Sequence, residues 1–274
     1  MSAGSELRGA VVIILARLPL GVASGVAWFL AWAWWTVLPI RKRVAVRNLR
    51  RAFPEWSQAR VRATLTAMLH NIVLGYIELL ISERTGVSMV EAVGVEQLQP
   101  GSILLAGHGG SWDISLLALA DATPTALFLK PPADPWAREQ IAALRARHGL
   151  LGLSTGATLA DGYAALDSGR ALLFIQDQRF NRGINSPFFG AACRTSTGFA
   201  VTILRTGRPV YGVWQQRLGV GRHRFWITPF SMPARTGHEA LDVQALTDAA
   251  NAWYADRIRE HPAGWLWLHE RWKP

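Results

Sequence analysis

Cysteine is nearly absent. Cys193 is the only one in 274 residues, so no internal disulfide can staple the chain, a usage compatible with a reducing compartment. Acidic residues are scarce too: 19 Asp and Glu stand against 29 Lys and Arg, a formal charge of +10. Such a balance favours anionic partners, among them phospholipid headgroups, phosphorylated lipids, acidic carrier proteins and nucleic acid. No Cys/His cluster has metal-ligand spacing, and neither a GKS/GKT phosphate loop nor a dinucleotide fingerprint is present. No metal and no cofactor is therefore expected. Pro/Gly/Ser-rich linkers and internal repeats are also missing, which argues for one main domain with an appendage.

What the chain has in abundance is apolar surface. Half of its residues are hydrophobic and the mean hydropathy is +0.14, high for a freely soluble protein. Residues 9–40 are almost wholly apolar, interrupted by Arg17 and Pro19. Residues 18–38 offer room for one membrane-spanning helix of about 20 residues, with Trp28, Trp32, Trp34 and Trp35 crowding its end as at a membrane interface. A helix lying in the interface is the rival to a full span. The basic run RKRVAVRNLRR follows at once, with Arg41, Lys42, Arg43, Arg47, Arg50 and Arg51. By the positive-inside rule that end is cytoplasmic, and a basic run directly after an apolar helix reads as a membrane contact rather than a nucleic-acid site. The expected division is a membrane anchor at 1–40 and a catalytic domain at 41–274.

Residues 101–121, GSILLAGHGGSWDISLLALAD, organise that domain. The apolar run 103–106 reads as a buried strand and 112–120 as a helix, so His108 stands at a strand end and Asp113 in the first helical turn. On one helix they would point about 140° apart. Across a strand–glycine–helix turn they can meet, because Gly109 and Gly110 permit a tight reversal. A carboxylate on one ring nitrogen fixes the tautomer and raises the basicity of the other, the arrangement of a general base. An Asp in a first turn is also often just a cap or dipole partner.

Downstream the chain alternates: strand 125–129, helix 135–148, strand 150–153, helix 157–166 and strand 169–175. Helix 195–206, strands 210–215 and 225–229, and helix 239–260 follow. This pattern predicts an α/β fold, a mixed and largely parallel sheet flanked by helices, with a ligand cleft at the strand carboxyl ends. His108 and Asp177 both fall at such ends. Ser57 is placed to cap a helix whose apolar face carries Leu65, Leu69, Ile72, Val73, Tyr76 and Leu80. Glu78 near the end of that helix reads as a solvated or ion-paired glutamate, with a functional role as the alternative.

Five blocks, 48–57 (NLRRAFPEWS), 70–80 (HNIVLGYIELL), 101–115, 174–198 (FIQDQRFNRGINSPFFGAACRTSTG) and 251–274 (NAWYADRIREHPAGWLWLHERWKP), resemble the lipid A biosynthesis acyltransferases. That family is a branch of the glycerolipid and lysophospholipid O-acyltransferases, whose His-x-x-x-x-Asp signature His108 and Asp113 match. Glutamate is more usual than aspartate at the last position in the lipid A enzymes. The resemblance implies a glycerolipid acyltransferase-like fold and an O-acyltransferase moving a fatty acyl chain to a hydroxyl of a lipid A precursor or related glycolipid. The donor it implies is acyl carrier protein, with acyl-CoA open, and the setting is the bacterial inner membrane, facing the cytoplasm. It implies no nucleic-acid partner.

In that picture His108 is the base and Asp113 its orienting group, with Asp177 as the alternative orienter or a holder of the acceptor. Arg145, Asp177, Gln178 and Arg179 contact substrate, and Gly109 and Gly110 supply oxyanion amides. Arg182 would meet an anionic headgroup or face water. Phe188 and Phe189 would line an acyl groove or join the core. Trp265, Trp267 and Trp272, beside Arg271, would anchor at the interface or pack on the domain. His148 and His269 are given no chemical role. The rival readings are an acyltransferase for another membrane lipid, such as a lysophospholipid or phosphatidylinositol mannoside, and a non-catalytic membrane-binding member. A hydrolase, suggested by HGGS, would need a Gly-x-Ser-x-Gly elbow on another strand, and none is expected here.

Overall fold

The computed structural model describes residues 3–37, 39–154 and 156–273. Helices come first: α1 (Ala3–Ala16), α2 (Leu20–Thr36), α3 (Lys42–Ala52) and α4 (Gln58–Thr85). Alternation then begins with β1 (Val90–Val93), β2 (Ile103–Ala106), α5 (Trp112–Ala122), β3 (Thr125–Phe128) and α6 (Pro135–Arg147). It continues through β4 (Leu151–Leu153), α7 (Leu159–Asp167), β5 (Ala171–Ile175), β6 (Ile184–Phe188), β7 (Ala191–Thr195) and α8 (Gly198–Thr206). The chain closes with β8 (Val210–Gly219), β9 (Arg222–Pro229) and α9 (Glu239–Glu260).

Among the described residues seven strands form one sheet in the order β1-β9-β8-β2-β5-β3-β4. Every pairing in it is parallel except the β8–β9 hairpin. Central β2 is buried along its whole length, which is why it reads as an unbroken apolar run rather than an alternating one. Its side chains still alternate between faces. Ile103 and Leu105 join Leu172, Phe174, Phe199, Tyr254 and Trp265 in one core, while Leu104 and Ala106 join Leu116, Leu119 and Leu173 in another. The β2–β5 register pairs Ile103 with Leu172 and Ala106 with Ile175. Continued by two residues, it brings His108 beside Asp177.

The expected helix at 195–206 begins only at Gly198, because 191–195 pairs with 184–188 as a hairpin. Its two-residue turn is Phe189-Gly190, both at positive φ, 49° and 74°, which suits the right-handed twist of paired strands. Ser57 caps α4 as expected, accepting from the Arg60 amide. The predicted apolar face of α4 is too narrow. Tyr76 is exposed, whereas Leu74, Ile77 and Ile81 are buried against Ala23 and Ala27 of α2.

The expected N-terminal spanning helix also takes a different form. Residues 3–36 make two helices broken at residues 17–19, since Pro19 has no amide proton and its ring clashes with a continuing helix. Leu38, where that span was to end, lies outside the described residues. Among the described residues the helix long and apolar enough to cross a bilayer is instead α4, and half of its most apolar stretch is buried in the protein.

In α4, Glu78 is ion-paired, as one of the two expectations had it, but fully buried rather than solvated. It accepts from Arg217 Nη1 at 2.6 Å and the Gly221 amide at 2.8 Å, and lies 3.1 Å from His223 Nε2. Arg217 Nη2 donates in turn to Ser111 Oγ at 2.7 Å, so the cluster ties α4 and the β8–β9 hairpin to the turn after His108. Removing one partner of a buried pair strands the other charge. Glu78→Ala should therefore destabilise the fold by about 3–5 kcal/mol in denaturant titrations. Glu91→Ala, which breaks the half-exposed Arg224–Glu91 pair, should cost under about 1 kcal/mol.

Candidate active site

His108 leaves the carboxyl end of β2 just before two glycines whose lack of side chain is required. A Cβ on Gly109 would lie 2.7 Å from the Trp214 indole, and Gly110 sits at φ +58° with the Gln215 backbone 3.0 Å from the Cβ it lacks. The turn thus lies flat on Trp214, and the imidazole is only about a fifth exposed.

The orienting carboxylate is Asp177, not Asp113. Asp177 Oδ1 lies 2.7 Å from His108 Nδ1, and Oδ2 accepts the His108 amide at 2.7 Å and Trp265 Nε1 at 2.7 Å. The Asp177 side chain is fully buried. Asp113 instead faces the Arg145 guanidinium at 3.5 Å. The physical reason is register: parallel pairing of β2 and β5 sets Asp177 in line with the imidazole edge, whereas Asp113 is carried past it by the first turn of α5.

Electrostatics follow from this geometry. Burial works against a charged imidazole, but the Asp177 carboxylate and its hydrogen bond, with a smaller contribution from Asp113, outweigh it and raise the His108 pKa above its ordinary value. Burial likewise opposes the Asp177 charge, yet His108 and the Trp265 indole hold its pKa below the usual range. For Asp113, burial dominates and pushes the carboxyl up, against the pull of Arg145 and His108. With Nδ1–H donating to Asp177, Nε2 carries the lone pair. It faces the Gln178 side-chain amide at 3.3 Å, a partner that an entering hydroxyl can replace.

The other expected residues divide. Arg145, at the end of α6, stands beside Asp113 at the cleft. Gln178 touches the reactive nitrogen. Arg179 is tied down, its Nε to the Lys273 carbonyl at 3.0 Å and its guanidinium to Asn181, and its amide donates to His269 Nε2 at 2.9 Å. The Gly110 amide is not available to an oxyanion, because it donates to the Gly264 carbonyl at 2.9 Å. Arg182 is exposed. His148 pairs with Asp121 at 2.8 Å. Phe188 is core, and Phe189 packs on Phe53, Trp267 and the Arg259 guanidinium. Trp265, Trp267 and Trp272 are 1%, 0% and 8% exposed, so the interfacial-anchor expectation gives way to packing on the domain.

Sequence reasoning passed over Trp265 as an active-site group, along with Tyr254, whose hydroxyl donates to the Ala106 carbonyl at 2.7 Å and receives the Gln176 amide at 3.2 Å. No local signal marks either; both reach the site only through the fold. The expectation that no Gly-x-Ser-x-Gly occurs is corrected by Gly152-Leu153-Ser154-Thr155-Gly156, but Ser154 follows edge strand β4, with β3 and β5 between it and β2. It is not joined to His108. Among the described residues no group of three His, Cys, Asp or Glu is placed to hold a metal ion.

A base must be neutral to accept a proton, so with a raised His108 pKa the rate should fall as pH drops through a midpoint above 6.5. Asp177→Asn removes the raising charge. It should move that midpoint down while slowing turnover about a hundredfold or more; Asp113→Asn should shift it less. Initial rates across pH 5–9 read both.

Comparison with known proteins completes the picture. No curated protein matches the chain. The profile described as bacterial lipid A biosynthesis acyltransferase matches residues 4–274, nearly the whole length. A strand-end histidine with a buried carboxylate behind it is what proton removal from a hydroxyl requires, and by that profile the chain belongs to the bacterial lipid A biosynthesis acyltransferase family.

Proposed function

We propose that this protein transfers a fatty acyl chain from a thioester, on acyl carrier protein or coenzyme A, to a hydroxyl of a lipid A precursor or related glycolipid. The observation that carries the chemistry is the imidazole of His108, with Nδ1 on buried Asp177 and Nε2 facing the Gln178 amide. Nε2 accepts the hydroxyl proton as the oxygen attacks the thioester carbonyl. The carbon–sulfur bond then breaks, and the leaving thiolate takes the proton back from the imidazolium. The thioester is already activated, so the scheme needs no acyl-enzyme. Arg145 is the cation at the cleft suited to an anionic group of substrate or to the developing oxyanion.

We assign residues 1–40 to anchoring at the cytoplasmic face of the inner membrane. Ile13, Ile14, Val22, Phe29, Trp32 and Ile40 are exposed, and α3 next to them turns Arg43 and Arg47 outward. Apolar side chains beside cations are the combination that binds an anionic bilayer surface. The net charge of +10 equally suits an acidic carrier protein as donor.

Two measurements test these readings. Whole-cell lipid mass spectrometry with and without the gene should show lipid A losing one acyl chain, restored by wild type but not by His108→Ala, whose purified turnover should fall at least about a hundredfold. A chain lost from another lipid would keep the chemistry and reject the acceptor; restored acylation by His108→Ala would reject the base. Arg43→Gln with Arg47→Gln should weaken binding to anionic vesicles by about 1 kcal/mol per charge removed, and less so at high salt.

A further inference from the structure

The last residues of the chain converge on the end of β5. Trp265 Nε1 donates to Asp177 Oδ2 at 2.7 Å, Arg271 Nη1 to the Gln178 carbonyl at 3.1 Å, and His269 Nε2 accepts the Arg179 amide at 2.9 Å. Three consecutive residues of the site are thus each held by a tail more than 80 residues away in sequence. Arg271 is itself fully buried. It finds hydrogen-bond acceptors in Arg194 O, Thr195 Oγ1 and Asn251 Oδ1, which fixes the tail against the β6–β7 hairpin and α9.

We propose that Trp265 is a positioning residue of the His108–Asp177 pair, and that the C-terminal segment is part of the active site rather than a membrane anchor. The reasoning concerns Oδ2. A buried carboxylate without water needs a donor for each free lone pair. Oδ1 is turned to the imidazole, and Oδ2 is shared by the His108 amide and the Trp265 indole. The indole is 1% exposed and wedged edge-on against Trp267 at 4.7 Å between ring centres, so its N–H cannot swing away. It fixes the carboxylate plane, and with it the direction of Oδ1 toward Nδ1.

It also draws charge from Asp177. With the indole donor gone, the carboxylate becomes more basic and pulls harder on the Nδ1 proton, which stabilises imidazolium. The other charged or titratable groups acting on this pair are Asp113 on α5, Tyr254 on α9, and His269 and Arg271 of the tail. None of them is altered by a change at 265.

The role in turnover rests on the acyl-transfer reading; the coupling to His108 does not. Trp265→Phe should lower kcat about ten- to hundredfold, as expected for one lost bond to a buried charge, with KM unchanged. It should also move the acidic limb of the pH profile upward by roughly half a unit or more, opposite to Asp177→Asn. Slower turnover with an unmoved limb would reduce Trp265 to packing and overturn the proposal. An NMR titration of the His108 ring in the same variant reads the coupling without any reaction. An upward shift there supports the proposal even if His108→Ala were to retain activity, and an unshifted ring rejects it. If Trp265→Phe fails to fold, incorporation of benzothienylalanine at 265, which keeps the bicyclic shape but lacks the N–H, is read by the same two criteria.

Discussion

The structure around the site depends on keeping one carboxylate charged where water does not reach. Asp177 is fully buried at the end of β5, and an isolated carboxylate there would neutralise instead of staying ionised. It stays charged because donors converge on it from separate parts of the chain: the amide and imidazole of His108 after β2, and the Trp265 indole from the C-terminal tail. That requirement explains features that otherwise look unrelated. Gly107 has no side chain because a Cβ would stand 3.0 Å from Asp177 Oδ2 and 2.9 Å from Trp214. Tyr254 reaches from α9 to bind the last carbonyl of β2 and the amide of Gln176, which pins the two strand ends together.

A second buried carboxylate does comparable work further out. Glu78 holds Arg217, and Arg217 holds Ser111, so the glycine turn carrying His108 is braced from α4 on one side and from the tail on the other. The basic helix α3 joins the same frame. Asn48 is buried and donates to the Trp267 and His269 carbonyls at 2.9 and 2.6 Å, and Arg41 donates to the Leu268 carbonyl at 3.3 Å. Helix α3 and the C-terminal tail are therefore one packed unit.

Much of the fold was legible locally. A buried parallel strand such as β2 must be apolar on both faces, so 103–106 announces itself; α9 is predicted at the residues where it occurs, and most βα boundaries fall within a few positions. The errors have identifiable causes. The β6–β7 hairpin turns on Phe189, a bulky residue at positive φ, where turn chemistry predicts Gly or Asn. The apolar N-terminal stretch reads as one span because hydropathy adds over a window, while Pro19 acts at a point. The tryptophans near the C-terminus suit a membrane interface by composition, yet they fill the core; amphipathic indoles satisfy both settings, and only neighbours distinguish them.

The site divides along the same line. By itself the sequence determined that a histidine would stand at a strand end beside a glycine turn, because those are consequences of burial, chirality and glycine's freedom within about ten residues. It also determined a chain that is basic, at a formal charge of +10, and half hydrophobic. Which carboxylate meets that histidine was decided only by tertiary structure. Asp113 is five residues away and Asp177 sixty-nine, but parallel pairing of β2 with β5 places the distant one in line with the imidazole and leaves the near one to Arg145. Strand register is set by the burial of whole faces, a property of the assembled sheet that no local spacing records.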